Sequence, residues 1–528
     1  MAAEAVLAAP AERRAPSNKW LVTIAVLLGA MMGAIDSSVV NVALARIQAS
    51  YGVTTQEVTW VSTSYLIALV IVMPLTAWLG SVLGRRRMFL TAIAAFTGAS
   101  MLCGLSRTLG QLIAFRVLQG VGGGVLAPSA QAIMRETFPP EEQAQAQGIF
   151  GMILLLGPAI GPTLGGWLTD NYSWPWIFFV NLPIGIAALL MGAQFIVDPP
   201  YMTRRGLRRI DGAGIVLMAV GLAALQVLLE EGETDGWFQS SFIAGVALLS
   251  ILALAAFIVW ELRAGEPAVD LRIFRNLSFA SGAFIGGVMG LALFGGLILL
   301  PLFVQNLLGY DATQAGLTLM PRSAVMVLMM PVAGALYNRL GVYVMLPSGL
   351  ALAGISGLMM ARFTLDSGPV QLLVPLLIQG TGFALMFVSL ATTTLSTIPR
   401  RQMQSAAGMF TLMFQLGGSL GTALVITVVD HKITTASANL MKYASVYNPA
   451  FMQWWRAFEL WFIGRGSDPT TAHRQALAAL QQAIGRQAAV VAFDYAFGVI
   501  AAVFFVCLPL VLLLRRGRAQ AEEPAAIG

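Results

Sequence analysis

The chain has 528 residues, 57% of them hydrophobic and only 11% charged, against about 25% charged in soluble domains; a mean hydropathy of +0.78 excludes a soluble globular protein and points to a bilayer. Cys103 and Cys507 lie inside apolar runs, and His431 and His473 lie outside them, so neither a disulfide framework nor a metal site is expected. The net charge of +6 is better explained by membrane sidedness than by a nucleic-acid surface.

The first 19 residues are Ala-rich and polar, with Arg13, Arg14 and Lys19. The apolar run that follows is too long for a signal peptide. A bilayer core takes about 20 apolar residues per helix. Fourteen such runs predict spans near 20–42, 58–80, 88–106, 110–134, 145–168, 175–196, 210–230, 241–261, 279–304, 316–336, 342–362, 370–395, 406–429 and 492–514. Basic residues set the orientation. Arg13, Arg14, Lys19, Arg85, Arg86, Arg87, Arg204, Arg205, Arg208, Arg209, Arg400, Arg401, Arg515, Arg516 and Arg518 fall on the side of the termini. The short loops on the other side hold only Arg46, Arg107 and Arg362. Both termini are therefore expected in the cytoplasm. "EEGETDGW" (230–237) is expected to be a solvated outer turn, and Arg322 to snorkel to the outer interface. The long outer segment 431–490 carries Trp454, Trp455, Phe458, Trp461 and Phe462, then a helical pattern with Leu477, Leu480 and Ile484 on one face. It is expected to cover the outer mouth, with a partner-docking surface or a membrane-touching hairpin as alternatives.

The chain repeats itself. At an offset of 260, Gln119–Gly120 matches Gln379–Gly380, Gly122 matches Gly382, Pro139 matches Pro399, and Gly157 and Gly161 match Gly417 and Gly421. "WLGSVLGRRR" (78–87) is echoed by "ALYNRLGVY" (335–343). Repeats of this kind build transporters with a site between the halves. The expected fold is all-α and membrane-integral: two six-helix halves plus two extra transmembrane helices. The expected units are a cytoplasmic tail (1–19), an N-terminal half (20–196), a linker with the extra helices (197–278), a C-terminal half (279–514) and a second tail (515–528).

Two charges lie inside the N-terminal spans. Asp36 is about 24 Å from the inner edge and about 6 Å from the outer one, and Arg116 about 8 Å below the outer edge, by a rise of 1.5 Å per residue. An intramembrane carboxylate is expensive and marks a functional site by default. Asp36 is therefore the candidate protonation or cation-binding site, tuned by Arg116, with a structural ion pair as the alternative. Asp494 begins the last span and could face the cavity. In "GPAIGPTLGG" (157–166), Gly157, Gly161 and Gly165 fall at steps of four and share one helix face, and Pro162 adds a kink. The stripe is expected to form a close-packed seam between the halves. Asn41, Gln119, Asn181, Gln305, Gln379, Phe383 and Gln415 are candidate cavity residues. The abundance of Met and Phe suits a promiscuous apolar binder. With no intramembrane His, spaced Cys pair or Ser–His arrangement, an enzyme is not expected, nor any cofactor beyond a coupling ion.

Four motifs resemble the major facilitator superfamily, in particular its fourteen-span drug:proton antiporters of the EmrB/QacA type. "IDSSVVNVALARI" (35–47) is similar to the first-span motif with Asp36 as its acid, although Ala45 replaces the usual Pro. "LIAFRVLQGVGGG" (112–124) is similar to the fourth-span motif, whose Arg, here Arg116, is tied to proton coupling. "GPAIGPTLGG" matches the fifth-span antiporter motif at Gly157, Gly161, Pro162, Gly165 and Gly166. "WPWIFFVNLPIG" (174–185) resembles the sixth-span signature, with Pro175 where Arg is usual. The resemblance implies a multidrug exporter of the bacterial inner membrane, driven by H+, with amphipathic substrates. The alternatives are export of an endogenous lipid, siderophore or metabolite, and Na+ as the coupling ion. It also implies an inner gate loop at Gly84, Arg85, Arg86 and Arg87, where Ser81 and Val82 replace the usual Asp and Arg. Asn338 stands at the acidic position of the second copy, and Gln415 where Arg is common. The long outer loop resembles that of members working with an EmrA-like periplasmic adaptor and a TolC-like outer-membrane channel.

Overall fold

The structure, a computed structural model, describes residues 18–198, 211–445 and 447–515. The tails carrying Arg13, Arg14, Arg516 and Arg518, and the stretch with Arg204, Arg205, Arg208 and Arg209, lie outside the described residues. The described residues form sixteen α-helices: α1 (Lys19–Tyr51), α2 (Thr55–Leu83), α3 (Arg85–Gly104), α4 (Leu109–Thr137), α5 (Gln143–Asn171), α6 (Trp176–Phe179), α7 (Asn181–Phe195), α8 (Gly212–Glu231), α9 (Ser241–Arg263), α10 (Leu277–Asn306), α11 (Ala312–Leu340), α12 (Val342–Met360), α13 (Pro369–Ser396), α14 (Met403–Met441), α15 (Pro449–Gly464) and α16 (Pro469–Cys507). Among the described residues fourteen helical stretches are long and apolar enough to cross a membrane. The sixth is broken at Val180 into α6 and α7. Pro183 cannot donate to the Phe179 carbonyl, which frees the turn there.

The two halves are built alike. Gly120 and Gly122 let α4 lie against α2 and α3: a Cβ at Gly120 would meet the Tyr65 carbonyl at 2.5 Å, and one at Gly122 the Phe96 amide at 2.8 Å. In the second half Gly380 and Gly382 of α13 stand in the same way against the Arg322 carbonyl (2.5 Å) and the Ala353 amide (2.9 Å). Tyr65 and Arg322, on α2 and α11, are thus counterparts. The turns entering α3 and α12 are also alike: Gly84 (φ +82°) and Gly341 (φ +71°) both take a left-handed backbone that favours glycine.

The glycine stripe of α5 does not face the other half. Cβ atoms at Gly157 and Gly161 would fall on Ala34 and Ser38 of α1, and one at Gly165 would lie 3.0 Å from the Val39 carbonyl; Gly166 faces open space. The second copy does the same, with Gly417 and Gly421 of α14 on Gly287 and Leu291 of α10. The stripe is therefore a contact within each half, because close backbone approach is what binds each half's first and fifth spans.

The halves meet nearer the membrane face where α1 begins and α16 ends. Gly148 of α5 packs on the Met330 carbonyl of α11, and Gly408 of α14 on the Met73 carbonyl of α2, each at 2.6 Å from a built Cβ. Gln404 Nε2 donates to Ser129 Oγ (2.9 Å), Asn338 Nδ2 donates to the Glu141 carbonyl (2.7 Å), and Phe150 stacks on Phe387 with centroids 6.3 Å apart. Gln404, Asn338, Ser129, Gly148, Gly408 and Phe150 lie in the thirds of their helices nearest that face, and these contacts close it.

The extra helices α8 and α9 pair with each other, and α8 packs against both α2 and α14. Gln226 Nε2 donates to Ser419 Oγ (2.8 Å) and Trp237 Nε1 to Thr427 Oγ1 (3.0 Å). Glu231 accepts from Thr59 (3.4 Å) and Thr63 (3.5 Å). Glu230 and Glu231 are thus not in a solvated turn; they line a cleft of about 240 Å³ with Asn41, Thr59, Ser62 and Thr63. The segment 431–490 is mostly helical. α14 and α16 have 39 residues each, about 58 Å long, and so run well past a core about 30 Å thick. Between them α15 packs on α16, with Trp455 4.8 Å from the His473 ring, while Trp454, Leu460 and Trp461 stay exposed.

Candidate functional site

Asp36 projects from the middle of α1 and Arg116 from the first third of α4, and their side chains are 0% and 1% exposed. Arg116 Nη1 donates to Asp36 Oδ2 at 2.5 Å and to Gln119 Oε1 at 2.8 Å, and Nε donates to the Val61 carbonyl at 3.0 Å. The guanidinium carbon lies 4.1 Å from the centre of the Tyr65 ring and 5.8 Å from that of Phe178, within cation–π range. Asp36 Oδ1 accepts from Gln119 Nε2 (2.7 Å) and Asn181 Nδ2 (3.1 Å). Asn181 also donates to Ser100 Oγ (3.0 Å), which donates to the Phe178 carbonyl (2.9 Å).

Local structure explains the convergence. The break at Val180 makes Asn181 the first residue of α7 and sets its amide on α1. Gln119 is one turn beyond Arg116 on α4, so both face Asp36. Gly123 leaves space beside the Tyr65 hydroxyl, where a Cβ would lie 3.0 Å away. Three N–H groups thus converge on one fully buried carboxylate, an arrangement complementary to negative charge. It also leaves Asn181 Oδ1 and the Tyr65 hydroxyl without partners.

Gln119 and Asn181, expected in a substrate cavity, therefore belong to the Asp36 cluster. Phe383 is fully buried and packs edge-on against Phe504 of α16, 5.9 Å away. Gln379 is buried and accepts from Arg322 Nη1 at 3.3 Å. Arg322 does not snorkel; it is 1% exposed. Asn41 is exposed and accepts from Ser62 (3.0 Å) at the cleft lined by Glu230 and Glu231. Gln305 is exposed near the end of α10, and Gln415 and Asp494 are half-buried on α14 and α16. Ser100, Tyr65 and the Val61 carbonyl were not anticipated; nothing in their local sequence marks them, since each acts through a contact between helices.

The gate loop is held by charge. Arg85 donates through Nη1 and Nη2 to the two oxygens of Glu136 at 2.6 and 2.7 Å, largely out of water, a bidentate pairing. The Arg86 amide donates to Asp198 (2.7 Å), its Nη2 donates to the Ala193 carbonyl, and Arg87 is exposed. Ser81, at the position where the resemblance expects Asp, donates to the Trp78 carbonyl (2.8 Å). The acid of this loop is thus Glu136 on α4.

Two packed repeats with a buried charge cluster in one of them define a membrane transporter of repeat architecture. A family model described as Major Facilitator Superfamily matches residues 26–422. The chain is 33% identical to the multidrug export protein EmrB of Escherichia coli K12 over 93% of this chain and 94% of that one. It is 30% identical to the fatty acid resistance protein FarB of Neisseria gonorrhoeae, over 94% and 96%. Among solved structures it is similar to the human organic anion transporter MFSD10, with a TM-score of 0.61 at 14% identity, covering 94% of this chain and all of that one. The chain belongs to the major facilitator superfamily, in its EmrB-like branch.

Proposed function

We propose that this protein is a proton-driven antiporter of the bacterial inner membrane that exports amphipathic compounds by alternating access, with both termini in the cytoplasm. The observation that carries this reading is the buried Asp36–Arg116 pair, held by Gln119 and Asn181. Its neighbours favour H+ over Na+. The groups converging on Asp36 are N–H donors, whereas a hard cation needs a shell of oxygens. Protonating Asp36 cancels the charge that holds Arg116, and so weakens the clasp between α1 and α4. The contacts that close the terminal face fit the cytoplasmic gate of an outward-facing state. The relatives' names, multidrug export for EmrB and fatty acid resistance for FarB, support efflux of amphiphiles. The exposed aromatic face of α15, between two helices that overrun the membrane, suits a periplasmic adaptor feeding an outer-membrane channel.

The test is transport in proteoliposomes under an imposed pH gradient. A labelled amphiphile should accumulate against its gradient with counterflow of protons. Asp36→Asn should lose gradient-driven accumulation and retain substrate exchange. Full accumulation by Asp36→Asn, or dependence on Na+ alone, would remove the proton-carrier role.

A further inference from the structure

The C-terminal half holds a charge of its own. Arg322 is the eleventh residue of α11, and Gln379 the eleventh of α13, so both lie about 15 Å along their helices and within the core. Arg322 is 1% exposed. Its Nη1 donates to Gln379 Oε1 at 3.3 Å, and its Nε has no partner. Among the described residues no carboxylate pairs with it. A Cβ at Gly296 of α10 would meet only this guanidinium, 3.6 Å from Nη1.

The repeat makes the arrangement informative. Gln379 is the counterpart of Gln119, and Arg322 that of Tyr65, the ring beneath Arg116. Each half therefore places one guanidinium beside the same glutamine. In the first half Asp36 neutralises it; in the second no acid does. An unpaired buried guanidinium is costly, and Arg cannot shed its proton to escape that cost. Arg322 thus lacks the anionic partner that Asp36 gives Arg116. α11 also packs against α5 of the other half, so Arg322 sits on a helix of the interface that alternating access opens and closes.

We propose that Arg322, assisted by Gln379, is the head-group contact for amphipathic carboxylates among the exported compounds. The proposal rests on the exporter reading and specifies one of its substrate classes. The guanidinium fork matches a carboxylate bidentately, and a larger side chain at Gly296 would crowd that fork.

The experiment is binding to the purified full chain in lipid nanodiscs at alkaline pH, with three ligands of one chain length: dodecanoate, dodecanol and dodecyltrimethylammonium. Wild type should bind dodecanoate about tenfold or more tighter than dodecanol, as expected for a charge-assisted pair. Arg322→Gln should erase that preference and leave the other two ligands within about twofold. Arg322→Lys should retain part of it, and Gly296→Leu should weaken dodecanoate selectively by crowding the guanidinium. Equal loss for all three ligands, or no loss for dodecanoate, overturns the proposal. If Arg322→Gln does not fold, wild-type selectivity decides: no preference for dodecanoate over dodecanol overturns it. Export of the ammonium compound without any carboxylate preference removes this site alone. Failure to move any of the three under a pH gradient removes the exporter reading.

Discussion

Arg116 Nη1 stands 2.5 Å from Asp36 Oδ2, and neither side chain is more than 1% exposed. Removing one member of such a pair strands the other charge in apolar surroundings, at about 3–5 kcal/mol. Asp36→Asn is therefore expected to lower the Tm markedly. Adding Arg116→Gln should recover much of that stability and none of the transport. A double variant no more stable than the single one would show that the two charges are not coupled.

The α5 stripe predicts a gradient of tolerance. A Cβ at Gly157 meets the Ala34 backbone, which cannot move aside alone; at Gly161 it meets the Ser38 side chain; at Gly166 it meets nothing. Gly157→Ala should destabilise most and Gly161→Ala less. Gly166→Ala should be neutral or stabilising, since Ala gains about 1 kcal/mol of helix propensity over Gly. Thermal melts of the three variants give the order, and equal Tm values would contradict the α1–α5 contact.

The closed face can be locked. Ser129 and Gln404 join the halves there, and the native cysteines Cys103 and Cys507 are buried. Ser129→Cys with Gln404→Cys, joined by a short bifunctional thiol reagent, should arrest export and leave substrate binding intact. Reduction should restore export if the linker is cleavable. Undiminished export after complete cross-linking would mean that these helices need not separate.

The helix α16 has a titratable cap outside the membrane. The Thr470 hydroxyl donates to Asp468 at 2.6 Å, and the amides of Thr470 and Thr471 donate at 3.1 and 3.2 Å. Led by the Thr470 side-chain bond, these donors pull the Asp468 carboxyl down to about 2. A depressed folded value means that the cap is fully present above the ordinary carboxylate range near about 4 and is lost as pH falls through about 2. Hydrogen exchange at the first turn of α16 should accelerate across that window. Asp468→Asn keeps a capping oxygen and should abolish the pH dependence; an unchanged pH profile in that variant would assign it elsewhere.

Much of this was legible beforehand, for reasons that differ by feature. The fourteen apolar runs became helices because backbone groups in lipid must bond internally. The repeat surfaced at Gly120 and Gly380 because only glycine permits that approach to Tyr65 and Arg322. The outer segment was harder. Its Ala- and Gln-rich sequence continues α16 beyond the bilayer, where hydropathy carries no signal but helix propensity still acts. Glu230 and Glu231 looked solvated because nothing local reveals that α8 packs between α2 and α14.

The spans, the duplication and the shared depth of Asp36 and Arg116 can be read from the chain alone, because hydropathy and helical rise act along one dimension. Tertiary structure alone decided what lies around each axis at a given depth. It turned Gln119 and Asn181 onto Asp36, set the α5 glycines on α1, closed one face, and left Arg322 without an acid. Packing between helices far apart in the chain selects those partners, and it depends on surfaces that no single segment contains.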